Sequence, residues 1–217
     1  MKIDKNSYGT VALVLILGAI SIFLLMKMAR PAVAWVLSVG ILWICGWQVL
    51  FHRVPDRESS GNDRIVSSVA DGRVVIIEKV FEPECLKREC IQLSIYMDFW
   101  DVHANFWPVT GEVTYTKYHP GKHVLAFKPK ASEENEHTCT CIRTADGKDV
   151  FFKQLAGGFA RRIVCYAAEG MKVIAGQQCG IIKFGSRIDF FLPVDADIKV
   201  SIGEEIRACE TVIAELK

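Results

Sequence analysis

The sequence predicts a mainly β protein. It reads as a β-rich barrel or sandwich domain with a barrel-sandwich-like C-terminal repeat, preceded by two N-terminal membrane helices. Three observations carry this reading. Short β-branched and aromatic runs, separated by turn dipeptides, follow one another from residue 65 onward. The first fifty residues hold two uncharged stretches of membrane-spanning length. Finally, Gly170–Gln177 is echoed 33 residues later by Gly203–Glu210, both reading G-x-x-[VI]-x-A-x-[QE], a strand–turn–strand unit used twice.

Taken in order, residues 1–9 are polar. Thr10–Met26 is a run of seventeen residues without charge, Lys27-Met28-Ala29-Arg30-Pro31 interrupts it, and Ala32–Phe51 is a second run of twenty. Crossing a bilayer takes about 17–25 apolar residues. A signal peptide is the competing reading, but the second run follows at once and no small-x-small cleavage site stands between them. A retained pair of helices, residues 1–51, is expected. Lysine and arginine flank both runs, so charge does not orient them. Two passes or a re-entrant hairpin would put both ends on one side.

Residues 52–64 read as a polar linker with several breakers, and 65–217 as the globular domain. Ile65-Val66, Arg73–Glu78, Ile91–Met97, Gly111–Thr116, Thr138–Arg143, Asp149–Phe152 and Ile163–Tyr166 are predicted strands. Asp71-Gly72, Pro120-Gly121 and Asp146-Gly147 are the turn signals between them. Gln154–Ala160 lacks a strand pattern and reads as one short helix.

Four of the 26 basic residues and one of the 25 acidic residues lie in 1–51, so the rest of the chain is slightly acidic. That balance argues against a nucleic-acid partner. The eight cysteines show no C-x-x-C spacing. Cys139-Thr140-Cys141 would put two thiols on one strand face, read as half-buried thiols rather than metal ligands. Scattered cysteines without a framework fit a reducing, cytosol-facing domain.

Three places could carry chemistry. Ala70-Asp71-Gly72 reads by itself as a tight turn. Asp101-Val102-His103-Ala104-Asn105 puts three polar residues at alternate positions among aromatics, on one face of a predicted strand, where buried polar groups need partners. Gly185-Ser186 joins two apolar strand-like runs and, alone, reads as another turn.

Together these segments resemble a known family. His103-Ala104-Asn105 with Pro108 and Gly111 is similar to the H-x-N-x-x-P-x-x-G segment of the short bacterial and archaeal phosphatidylserine decarboxylase proenzymes. Ala70-Asp71-Gly72, Ala131–Glu136, Gln154–Gly157, Ala160–Ile163 and Phe184–Asp189 resemble further segments of that family, in the same order. Phe106 departs from the pattern, standing where those enzymes carry an arginine.

The resemblance implies a zymogen that cuts itself between Gly185 and Ser186 into a β chain, 1–185, and an α chain, 186–217. Ser186 would become a pyruvoyl group, the only cofactor, with no metal. The enzyme would decarboxylate phosphatidylserine to phosphatidylethanolamine through a Schiff base. His103 would be the base and Asp71 would orient it, by the logic of a catalytic triad. Asn105, Arg161, Arg162 and Arg187 are candidate substrate-binding residues. The expected partners are phosphatidylserine, the bilayer and the two product chains, with a homo-oligomer allowed. The expected location is the cell membrane, with the catalytic domain toward the cytoplasm. The alternative reading is a non-catalytic membrane adaptor with a barrel-sandwich domain. A biotin or lipoyl carrier fails, because Lys183 lacks the Met-Lys-Met-like context of a carrier lysine.

Overall fold

The structure, a computed structural model, describes residues 1–122, 135–157, 162–183 and 186–217. It divides into two compact units, Met1–Asp56 and Arg57–Lys217.

The first unit comprises β1 (Lys2–Ile3), α1 (Tyr8–Met28), α2 (Pro31–Phe51) and β2 (Arg53–Val54). Each helix has 21 residues. At about 1.5 Å per residue that is roughly 31 Å, against a hydrocarbon core of about 30 Å. Pro31 opens α2 at a position where its missing N–H costs no hydrogen bond. The helices touch closely at Gly18, where a Cβ would come within 2.6 Å of Cys45 Sγ. Such small-residue contacts let apolar helices pair without a hydrophobic driving force. Leu13, Ile16, Phe23, Val36, Leu42 and Trp43 stay exposed. β1 pairs with β2, so the chain enters and leaves the helix pair at the same end.

The second unit is built from strands. They are β3 (Ile65–Ser67), β4 (Gly72–Glu82), β5 (Arg88–Met97), β6 (Ala104–Phe106), β7 (Gly111–His119), β8 (His137–Arg143) and β9 (Asp149–Ala156). β10 (Arg162–Cys165), β11 (Lys172–Val173), β12 (Gln178–Lys183), β13 (Ser186–Pro193), β14 (Asp197–Ile198), β15 (Glu205–Ile206) and β16 (Val212–Glu215) follow. One sheet has eight strands in the order β11-β7-β8-β9-β13-β5-β4-β15, and two others have three each, β10-β12-β6 and β14-β16-β3. The large sheet curls into a half-barrel: Glu84, in the β4–β5 turn, reaches past β13 and β9 to Cys139 on β8 and to Tyr115 on β7 beyond it.

The sequence repeat is a structural repeat. β11 and β15 occupy equivalent positions and add to β7 and β4 in the same antiparallel way. Gly170 and Gly203 both have positive φ, as do Gly176 and Cys209. Gly170 N–H donates to Val113 O and Gly203 N–H to Val74 O, both at 2.8 Å. Gly111 and Gly72 sit at matching close approaches, where a Cβ would lie 2.3 Å from Arg143 O and 2.2 Å from Tyr96 O respectively. No side chain larger than hydrogen fits either place.

Between the sheets lies the main core, including Val74, Leu93, Ile95, Met97, Trp107, Phe152, Ile188, Phe190 and Leu192. The opposite face of the large sheet holds a smaller cluster of Cys90, Cys139, Cys141, Phe151 and Phe191. β13 is therefore covered on both faces: Ile188, Phe190 and Leu192 enter the main core, Phe191 enters the smaller cluster, and the buried Arg187 and Asp189 pair with each other.

Two expectations need correction here. Gln154–Ala156 is not helical: it completes β9, pairing with β8 and β13. Its polar residues do not alternate as on a half-exposed strand because both faces of β9 are covered. Nor is all of 52–64 a free linker. Ser60 N–H donates to Cys209 O at 3.0 Å, and Arg57 binds within the second unit.

Candidate functional site

The junction of two sheets defines the site. β12 ends at Lys183 in a three-stranded sheet, and β13 begins at Ser186 in the eight-stranded one. The chain changes sheets within two residues. Phe184 and Gly185, the residues of that crossing, lie outside the described residues, as does Arg161. Ser186 is fully buried, opposite Met97 of β5 and Ala156 of β9. By strand alternation its side chain shares the core face with Ile188 and Phe190. Its hydroxyl donates to Met97 Sδ at 3.2 Å.

His103 is brought to the same place by the backbone. β6 pairs with β12, and Ile182 N–H donates to His103 O at 3.2 Å. The imidazole is fully buried, with Nδ1 3.0 Å from the carbonyl oxygen of Asp101. A carbonyl only accepts, so this contact makes Nδ1 the protonated nitrogen and Nε2 the basic one. The three polar residues read as one strand face are not one: the strand starts at Ala104. Asp101 precedes it in a bend, its carboxylate accepting from Asp98 N–H at 2.7 Å. Burial pushes the Asp101 carboxyl up, and the nearby charges of Asp71, Asp98 and Glu205 add to this.

Asn105 stands on β6 opposite Gly180. Its Oδ1 accepts from Gln154 Nε2 at 2.8 Å, and Gln154 Oε1 accepts from Thr138 Oγ1 at 3.0 Å. This buried relay ends on an orphan: Asn105 Nδ2 has no hydrogen-bond partner among the described residues. A buried donor left unmet costs about 1–3 kcal/mol, which fits a group held for something that binds. Phe106, in place of the family's arginine, is buried.

Asp71 does not hold the imidazole. Its carboxylate accepts two hydrogen bonds from the Arg57 guanidinium, the longer at 3.0 Å, and one from Ala208 N–H at 2.8 Å. Arg57 also donates to Ala208 O at 3.2 Å. The imidazole is instead oriented by a backbone carbonyl, a partner that sequence patterns do not reveal. In the register β4-β5-β13, Arg73 and Arg187 both oppose Tyr96. Asp71 thus enters the sheet one strand beyond Met97, on the far side from Ser186.

The arginines separate. Arg162 is exposed on β10, opposite Lys183. Arg187 is buried on the sheet face away from Ser186. Its Nε lies 2.5 Å from Asp189 Oδ1, and it donates to Ser94 Oγ at 3.0 Å. A guanidinium sealed against a buried carboxylate is poorly placed to take a substrate anion. Gln154, Thr138, Met97 and Arg57 do not stand out in the sequence as site residues; only Gln154 carries a signal, as part of a family-like segment.

A duplicated β protein with a buried serine where the chain crosses between sheets, a buried histidine bonded through its backbone to the strand just upstream and two apolar helices defines a narrow class. Residues 46–214 match the family model described as phosphatidylserine decarboxylase. A phosphatidylserine decarboxylase proenzyme of Amoebophilus asiaticus is 44% identical over 170 residues, 78% of this chain and 76% of the relative. One from Parabacteroides distasonis is 37% identical over 222 residues, covering 100% of this chain and 99% of the relative. Another, from Cytophaga hutchinsonii, is 46% identical over 165 residues, 76% of this chain and 75% of the relative. The chain belongs to the phosphatidylserine decarboxylase family.

Proposed function

We propose that this protein is a self-maturing, membrane-bound phosphatidylserine decarboxylase whose pyruvoyl group derives from Ser186. The observation that carries the proposal is the buried serine at the head of the central strand β13, with His103 bonded through its backbone to Ile182 just upstream. The relatives named as proenzymes support the same reading.

Maturation uses the chain's own groups. His103 takes the hydroxyl proton of Ser186, which makes the oxygen nucleophilic. That oxygen adds to the Gly185 carbonyl carbon, and the amide nitrogen leaves as a free amine, giving an ester. Removal of the Ser186 α-proton then expels the Gly185 carboxylate by β-elimination. Water replaces the nitrogen of the resulting dehydroalanine, releasing ammonia. The products are the chains 1–185 and 186–217, joined by the strand pairing of β13 to β5 and β9.

The pyruvoyl carbonyl supplies an electrophile that takes the substrate's amine and draws off the electron pair left when carbon dioxide departs. The residues fit such a group: the site is buried and flanked by strands, and Asn105 Nδ2 is a donor still lacking an acceptor. His103 Nε2 returns a proton to the substrate carbon. Asn105 binds a substrate oxygen, and Arg162 offers an exposed cation for the phosphodiester. We leave Arg187 out of substrate binding because Asp189 already neutralises it.

Asp71 receives a different part from the one its sequence suggests. It belongs to the future β chain, and Ala208 to the α chain. With Arg57 it clamps the two products together. The two apolar helices and the exposed Phe99 and Trp100 beside the Asp101 bend suit a lipid substrate held at a bilayer surface. The seven cysteines of the catalytic unit, all outside any disulfide, support its cytoplasmic orientation. The adaptor alternative leaves Ser186, His103 and the orphan amide of Asn105 without a purpose.

Intact-mass measurement on the purified protein tests the reading. Wild type should give two chains, the smaller beginning at a blocked residue 186, and should release carbon dioxide from phosphatidylserine vesicles. Ser186→Ala and His103→Ala should remain single chains without activity. An unbroken but active wild-type chain would overturn the proposal.

A further inference from the structure

On the far face of the large sheet, four side chains converge for which the decarboxylase chemistry has no use. Glu84, His119, His137 and Cys139 each offer a ligand atom, and these atoms lie within 4.8 Å of one another. His119 and His137 are direct cross-strand partners on β7 and β8, and Lys117 opposes Cys139 two residues along. Strand alternation thus puts His137 and Cys139 on one face, with His119 beside them. Glu84 arrives from the β4–β5 turn.

The cluster is built rather than accidental. His137 Nδ1 lies 2.7 Å from the carbonyl oxygen of Asn135, so Nδ1 carries the proton and Nε2 is the coordinating nitrogen. That backbone contact is the usual way a ligating histidine is oriented. The rings of His119 and His137 stack with centroids 4.5 Å apart. Glu84 accepts from Tyr115 Oη at 2.7 Å, lies 2.5 Å from His119 Nε2, and accepts from Cys139 Sγ at 3.4 Å. Its turn is held from beneath by buried Glu82, whose carboxylate accepts from the N–H groups of Glu84, Cys85 and Leu86 at 2.7–2.9 Å. His137 and Cys139 are buried while Glu84 and His119 are partly open, which leaves an ion a way in. Lys117 Nζ, 3.8 Å from Glu84, is half exposed and can turn outward.

We propose that Glu84, His119, His137 and Cys139 form a four-coordinate site for a zinc-class divalent cation. Two imidazoles, one thiolate and one carboxylate make a donor set suited to tetrahedral zinc. The ion staples the β4–β5 turn to the β7–β8 hairpin and so fixes the curl of the half-barrel. In register, His137 opposes Leu155 and Leu155 opposes Arg187, so the staple supports the strands that carry the start of the α chain. In the sequence, Cys139-Thr140-Cys141 reads as a pair of half-buried thiols rather than metal ligands. The site is independent of self-cleavage.

The test uses the full chain in detergent micelles, stripped with a chelator and titrated with Co²⁺. Wild type should bind one Co²⁺ per chain, with the visible bands of tetrahedral coordination and a thiolate charge-transfer band, both removed by Zn²⁺. Cys139→Ser should lose the charge-transfer band, and both it and the partly exposed His119→Ala should bind about 100-fold more weakly. Zn²⁺ should raise the melting temperature of wild type and not of either variant. Absence of a tetrahedral Co²⁺ spectrum in folded wild-type protein overturns the proposal. So does binding unchanged in both variants; the four groups are then a hydrogen-bond network about Glu84.

Discussion

The molecule carries the same clamp twice, and the two copies differ. In one, Thr110 Oγ1 accepts from Ala175 N–H at 3.2 Å. In the other, Asp71 Oδ1 accepts from Ala208 N–H at 2.8 Å. Each precedes a glycine pressed against a carbonyl of the neighbouring strand, and each serves one copy of the 33-residue repeat. The turn thus needs only a hydroxyl. The second copy adds a carboxylate and a half-buried arginine, Arg57, whose pKa the Asp71 hydrogen bond raises against the opposing effect of burial. The Thr110 clamp joins two parts of the future β chain, whereas the Asp71 clamp crosses the proposed cut. The copy that crosses the proposed cut is the one reinforced with charge.

The largest effect should come from Asp71→Ala, which leaves the mostly covered Arg57 guanidinium with only Ala208 O and the more exposed Glu210 carboxylate, 3.6 Å away. A loss of about 3 kcal/mol is expected, together with loss of the α chain from the matured protein. Denaturant melts and copurification of the two chains check both. An α chain retained at wild-type stoichiometry would break the distinction between the clamps.

Slightly smaller, and of the same kind in the two halves, should be the cost of Gly72→Ala and Gly111→Ala. Each Cβ would meet a carbonyl oxygen below 2.5 Å, and overpacking of this kind costs about 1–3 kcal/mol. Gly72 also has a φ of +150°, so it should be the worse of the two. Thermal unfolding of the uncleaved Ser186→Ala protein carrying each change measures this without interference from maturation.

Thr110→Val removes one neutral hydrogen bond and should cost about 1 kcal/mol, with the α chain fully retained. Selective loss of the α chain in this variant would mean that the clamps are interchangeable.

The smallest effect is a pH dependence confined to the charged half. Asp101 has its folded-state pKa raised, chiefly by burial and further by Asp71 and its neighbours. The folded state then binds the proton more tightly than the unfolded state. This favours folding at low pH and is lost as pH rises from the unfolded value of about 4 through the raised folded value. Melting temperatures from pH 4 to 7 should fall less in Asp101→Asn than in wild type. An identical slope would remove Asp101 from this role.

Much of the architecture was legible in local patterns. The uncharged runs became α1 and α2 with ends shifted by a residue or two, since capping and fraying are not encoded in hydropathy alone. The G-x-x-[VI]-x-A repeat appeared as matching strands because positive-φ turns leave glycine behind. Misreadings fell where burial on both faces erased periodicity, as in Gln154–Ala156. Others fell where a charged residue such as Arg57 looked like solvated linker.

Of the candidate site, Ser186, His103 and Asn105 stood out as polar residues set among apolar ones. What the sequence by itself determined was the duplicated β design, the apolar helices and the identity of these groups, because periodicity and composition are local properties. Only the tertiary structure decided their partners. It gave Asp71 to Arg57 and Ala208, the imidazole to the Asp101 carbonyl, and Arg187 to Asp189. It also drew Glu84 to residues 35 to 55 positions away. Those pairings follow from strand order and the curl of the sheet, which long-range hydrogen bonding sets and no short stretch of sequence contains.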